Sequence, residues 1–128
     1  IAWHAIGQGF ESPILHHFRI AETKMEYMIV LITAPQAEAK ELAMTLVQEK
    51  LAACANIIDM VSSIYWWEGK IQDDKESLLI LKTKQDMVDA LIIRTKQIHS
   101  YTVPEIIALP IIRGNQDYLN WINESMVC

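Results

Sequence analysis

The chain has 128 residues, a length that a single domain accounts for and that is enough to bury most of the unfolded surface. With 16 acidic against 11 basic residues its formal net charge is −5, which argues against a general affinity for nucleic acid or for an anionic membrane. The apolar share of 52% is high for so small a soluble protein and suggests faces buried between subunits.

Residues 1–24 differ in character from the rest of the chain. They hold His4, His16 and His17, both phenylalanines and no clear period, and they lack the basic and continuous apolar regions of a signal peptide. They read as an N-terminal extension, with the paired His16 and His17 incidental. The folded domain is expected over 25–128. After Met25 the largely apolar run 27–33 reads as a strand. Pro35 then suits the first turn of a helix, where its missing N–H costs nothing. Leu42, Ala43, Leu46, Val47 and Leu51 recur at helical spacing, with Glu38 and Glu41 early and Lys50 late, as the helix dipole favours.

Residues 56–83 predict two long strands joined by the turn Trp67-Glu68-Gly69-Lys70, where Gly69 can take positive φ. Strands of about 12 residues span about 40 Å at roughly 3.3 Å per residue, about twice the usual length. One small core cannot cover such a ribbon. Tyr65, Trp66 and Trp67 at its tip would stay in water unless another chain covers them. A second helix is expected from Asp86, as N-cap, through Val88, Leu91, Ile92 and Thr95 to Ile98. The run 104–112 predicts a strand whose prolines suit an edge position. Gly114-Asn115 then starts a last helix with Tyr118, Leu119, Ile122 and Met126 on one face. The order β-α-β-β-α-β-α is an α+β, ferredoxin-like βαββαβ sandwich with an extra C-terminal helix.

No apolar run approaches the roughly 18 residues needed to span a bilayer. Cys54 and Cys128 have no metal-ligand spacing, which suits a reduced, cytoplasmic setting without structural disulfides. His99, beyond the second helix, has a carboxylate nearby in Glu105, and the pair can bind a transition metal or move a proton. The plainer alternative is a histidine bonded to the last carbonyls of its helix. Glu105 can equally pair with Lys82 or Lys84. Cys54 reads as a small core residue, and Trp66 and Trp67 as rings packed on a neighbouring subunit or stacked on a ligand. No phosphate loop, nucleophile context or organic-cofactor motif is present, so spacing nominates no enzyme.

The segments Glu49-Lys50-Leu51-Ala52-Ala53-Cys54-Ala55-Asn56, Ser63-Ile64-Tyr65-Trp66-Trp67-Glu68-Gly69-Lys70 and Pro104-Glu105-Ile106-Ile107-Ala108-Leu109-Pro110 carry a family resemblance. So do Leu81-Lys82-Thr83, His99-Ser100-Tyr101 and Tyr118-Leu119-Asn120-Trp121. Together they closely resemble the CutA family of divalent-cation tolerance proteins over about 27–125. The resemblance implies a homotrimer with Tyr65, Trp66 and Trp67 at the interface. It also implies a non-catalytic role in metal response, with copper or another divalent cation as the bound ion. His99 and Glu105 carry over as metal ligands. Two positions depart from the family pattern: Ile32 stands where some members have a cysteine, and Ser100 replaces the proline of His-Pro-Tyr. The family fold also resembles the trimeric PII signalling proteins. That likeness implies an alternative, a module sensing a small anion at a subunit cleft through Lys82, Tyr101, Glu105 and Trp67.

Overall fold

A computed structural model describes residues 26–127; the extension 1–24, the expected start at Met25, and Cys128 lie outside the described residues. Strand β1 (Tyr27–Ala34) buries Val30, Ile32 and Ala34, every second residue, as a sheet with one covered face requires. Pro35, at φ −57° and ψ 143°, ends the strand and sits immediately before α1 (Gln36–Gln48). That helix buries Ala39, Leu42, Ala43 and Leu46. It stops in a left-handed turn: Lys50 has φ 61°, Leu51 N–H donates to the Leu46 carbonyl and Lys50 N–H to that of Val47, each at 3.0 Å. Glycine is the usual occupant of that position, because a Cβ there crowds the carbonyl oxygen.

Strands β2 (Cys54–Trp67) and β3 (Lys70–Lys84) make the long hairpin, slightly longer than the sequence predicts. Its two-residue loop has φ 50° at Glu68 and 79° at Gly69, the paired positive values that match the twist of the strands. Cys54 opens β2 and is half-buried rather than enclosed by alanines. A 3-10 turn, Gln85–Met87, leads into α2 (Val88–Ile98). Asp86 falls inside that turn, Met87 takes the N-cap position, and no side chain caps the helix. The expected strand over 104–112 contracts to β4 (Ile106–Pro110), bracketed by prolines that cannot donate to a ladder. Asn115 caps α3 (Gln116–Ser125) by accepting the Asp117 N–H at 3.0 Å.

The sheet is antiparallel in the order β2-β3-β1-β4, with β4 on one edge as its prolines predict. This is the ferredoxin-like arrangement with one helix added. Its two faces differ. On one, Val30, Ile32, Leu79 and Leu81 pack with Leu42, Leu46 and Leu91 in the main core. Thr83, wholly buried on that face, donates its hydroxyl to the Leu51 carbonyl at 2.7 Å. On the other face Ile29, Leu31, Leu78 and Ile80 stand in register with Leu109, Ile107 and Ile58. There Ile58, Ile107 and Leu109 are 45%, 48% and 44% exposed. None of the second set belongs to the core that the helices close.

The hairpin register breaks once. Ile58 pairs with Leu78 and Val61 with Glu76, so Asp59 and Met60 together oppose Ser77. This β-bulge is pinned to the start of α1: the Asp59 carbonyl accepts the Gln36 side-chain amide at 2.8 Å and the Ser77 hydroxyl at 2.7 Å.

Candidate functional site

The bulge keeps Val61, Ser63, Tyr65 and Trp67 on the open face of β2, opposite Glu76, Asp74, Gln72 and Lys70 of β3. The chain leaving α2 forms a second wall at 100–105. Between them lies a cavity of about 810 Å³. Its wall includes Tyr65, Trp67 and Tyr101, and three carboxylates: Asp74, Glu76 and Glu105. No lysine, arginine or histidine lines it among the described residues.

Tyr101 closes the cavity against the hairpin. Its hydroxyl donates to Glu76 Oε2 at 2.8 Å, and its ring centroid lies 4.8 Å from that of His99. Partial burial pushes the Tyr101 phenol well above its ordinary value, and the bond to the Glu76 carboxylate adds to the rise, since both penalise the phenolate. The Tyr65 hydroxyl likewise donates to Asp74 Oδ2, and its pKa is raised mainly by that bond. Glu76 is only 5% exposed.

His99 is also buried, 7% exposed, and both of its ring nitrogens are occupied. Nε2 lies 2.8 Å from the Thr33 carbonyl, and Nδ1 accepts the Tyr101 N–H at 3.1 Å. A carbonyl accepts only, so Nε2 carries the proton and the ring is neutral in this arrangement. The imidazole is a clasp from the end of β1 to the turn holding Tyr101. A metal at His99 would have to break one of these two bonds, so the ring as it stands does not fit an ion. Ser100, in place of the proline, uses its N–H: that group donates to Glu38 Oε1 at 3.2 Å.

The residues named from sequence are therefore only partly brought together. Trp67, Tyr101 and Glu105 share the cavity wall, with Tyr65 beside them. His99 stands behind Tyr101. Trp66, 72% exposed, projects from the opposite face of β2, because side chains alternate along a strand. Lys82 lies outside the cavity and bonds Asn56 Oδ1, while Lys84 donates to Asn123 Oδ1 at 2.7 Å. Neither lysine takes up the pairing with Glu105 that the sequence allowed. Cys54 Sγ is 3.4 Å from the Tyr118 hydroxyl, and the Tyr118 phenol is pushed up to about 12, first by that bond and then by burial. Among the described residues no three His, Cys, Asp or Glu side chains converge to hold a metal ion.

Asp74 and Glu76 were not among the sequence candidates. Their signal was the alternation Gln72, Asp74, Glu76, polar residues on one face of a strand whose next same-face residues are Leu78 and Ile80.

Residues 28–125 match the family model of the CutA1 divalent ion tolerance protein. The chain belongs to this family. A CutA 1 protein of the rice chloroplast is 50% identical over 104 residues, aligning 80% of this chain with 59% of its own length. The chloroplast CutA protein of Arabidopsis thaliana is 50% identical over 99 residues and is covered over 54% of its length, so the chain spans little more than half of these plant relatives. Against the divalent-cation tolerance protein CutA of Thermus thermophilus, 49% identity over 98 residues covers 76% of this chain and 95% of the relative. The crystal structure of CutA1 from Oryza sativa superposes with a TM-score of 0.76 at 48% identity, covering 78% of this chain and 93% of that one. CutA relatives are named from both chloroplast and periplasm. No helix among the described residues is long and apolar enough to cross a membrane.

Proposed function

We propose that the protein is a non-catalytic, homotrimeric member of this family that responds to divalent metal ions. The observation that carries the assembly is the uncovered apolar face of the sheet. Ile29, Leu31, Ile58, Leu78, Ile80, Ile107 and Leu109 form it, and none of them belongs to the core that the helices close. An apolar sheet face and a 14-residue edge strand both call for cover, and closed rotational symmetry supplies it without open-ended growth. Light scattering at micromolar concentration tests this: a mass of three chains is expected, and a monomer overturns it.

Metal binding, to copper or another divalent ion, belongs to that assembly. Relatives carry divalent-cation tolerance in their names. Within one chain no three-ligand group forms among the described residues, which supports a site that draws donors from more than one subunit. Glu105, exposed and outside any ion pair among the described residues, is the donor each subunit offers; His99 joins only by giving up its clasp. Calorimetry with copper and zinc should show weaker binding for Glu105→Ala in the assembled protein. Unchanged binding would remove Glu105 from the ligand set. The reading as an anion sensor is disfavoured by the cavity's charge, since three carboxylates and no cationic side chain line it among the described residues.

A further inference from the structure

We propose that His99 is a positioning residue: its imidazole fastens the 100–105 segment, and through it Glu105, and does not itself take the metal ion. This rests on the divalent-metal role proposed above, with Glu105 as a donor. Residues 99–105 belong to no helix or strand, so side chains must hold them. His99 does so at two points: Nε2 donates to the Thr33 carbonyl at 2.8 Å, and Nδ1 accepts the Tyr101 N–H at 3.1 Å. Strand register pairs Ile32 with Ile106, which carries Glu105 to the level of Thr33. The ring is thus bonded both to the strand residue beside Glu105 and to the turn that leads into it. Two further bonds, Ser100 N–H to Glu38 and the Tyr101 hydroxyl to Glu76, tie the turn to α1 and β3. All of them lie within one chain, where His99 is already buried, so none depends on a surface that a neighbouring subunit would cover.

The same bonds argue against ligation. A metal-binding imidazole donates from one nitrogen and offers the bare other one to the ion. Here Nε2 makes the donation, but Nδ1 is filled from two residues on, and freeing it would leave the Tyr101 N–H without that partner. A bond of this kind, to the backbone two residues ahead, is one that asparagine makes readily. His99 has φ −81° and ψ 140°; Asn115, at φ −62° and ψ 118°, accepts the Asp117 N–H at 3.0 Å. His99→Asn therefore keeps the turn closed while removing the imidazole and its bond to Thr33. That variant separates a fastener from a ligand, which alanine does not.

Nitrogen NMR of the full chain, labelled at histidine and titrated with zinc, tests it; the His99 signals are those lost in His99→Asn. Without metal, His99 should be protonated at Nε2 and bare at Nδ1, and it should stay so at saturating zinc. Amide exchange at Tyr101 should be roughly 3- to 10-fold faster in His99→Ala, the equivalent of one ordinary hydrogen bond, and near wild type in His99→Asn. Zinc calorimetry on the same proteins should show weaker binding for His99→Ala and most of the affinity restored in His99→Asn. The opposite tautomer without metal overturns the proposal. So does a zinc-bound nitrogen at His99, whether or not His99→Ala folds. Equal loss of zinc affinity in the two variants overturns it as well. No saturable zinc heat in the wild type ends the metal role alone; the tautomer and Tyr101 exchange then decide the fastening.

Discussion

The bulge at Asp59 and Met60 divides the hairpin into halves of the same backbone with different surroundings. In the half joined to the body, Leu79, Leu81 and Thr83 are wholly buried beneath helices, and the remaining face is apolar. In the outer half the ribbon is largely open: Ile64, Trp66 and Ile71 are 69%, 72% and 62% exposed, and Asp73, Asp74 and Lys75 are exposed as well. Strand geometry is satisfied equally in both, by ladder bonds that run to the tip. Backbone pairing can therefore extend a ribbon well beyond its core. Only side-chain burial decides which part stabilises the subunit and which part is available to something else.

Four measurements test that contrast. The largest effect is expected in the inner half: Leu79→Ala should lower the unfolding free energy by about 2–5 kcal/mol, because a wholly buried leucine leaves a cavity. Urea titration at fixed protein concentration reads it, and a loss below about 1 kcal/mol would show that the inner half is not held by its core. In the outer half, replacing Trp66 and Trp67 together by alanine should leave the subunit folded but weaken association by about 2 kcal/mol or more, the usual cost of truncating aromatic anchors. Dilution series followed by light scattering check this; identical dissociation curves would mean that no partner covers the tip.

The third test concerns the contact that joins outer hairpin to body, Tyr101 to Glu76. Tyr101→Phe should cost about 1–2 kcal/mol for the lost bond to a carboxylate. It also carries a pH signature. The folded phenol is held above its ordinary 10.0, so the unfolded chain loses this proton first. Stability from Tyr101 is therefore full below about pH 10 and declines as pH rises toward the folded value. The gap in melting temperature between wild type and Tyr101→Phe should narrow above about pH 10; a constant gap would deny that the phenol is shielded. The smallest effect is a gain. Lys50→Gly relieves a side chain from φ 61° and should stabilise by up to about 1 kcal/mol, reduced by loss of the Lys50 Nζ bond to the Ser125 carbonyl at 3.0 Å. Destabilisation would show that this link to α3 outweighs the backbone strain.

Much of the fold was legible because it is written in near neighbours. The seven elements and their order follow from periods of two and near four, from Pro35, from Asn115 and from the Glu68-Gly69 loop, each acting within a few residues. Asp86 misled because an aspartate before a helical run fits either an N-cap or a 3-10 turn, and local chemistry does not separate them. The bulge left no mark in composition. What marks it in the structure is tertiary: Gln36 and Ser77 both donate to the Asp59 carbonyl.

The site was legible only in part. Trp67, Tyr101 and Glu105 were named from their segments and do meet, whereas Lys82, equally plausible by charge, bonds Asn56 outside the cavity. Propensity and spacing along the chain were enough to set the elements and the overlong ribbon. The roles of His99 and Glu76 came only with folding. The histidine meets a carbonyl 66 residues away, and the carboxylate meets a phenol 25 residues away. The chemistry of an imidazole or a carboxylate depends on what stands within about 3 Å of it, and the tertiary fold sets that neighbour.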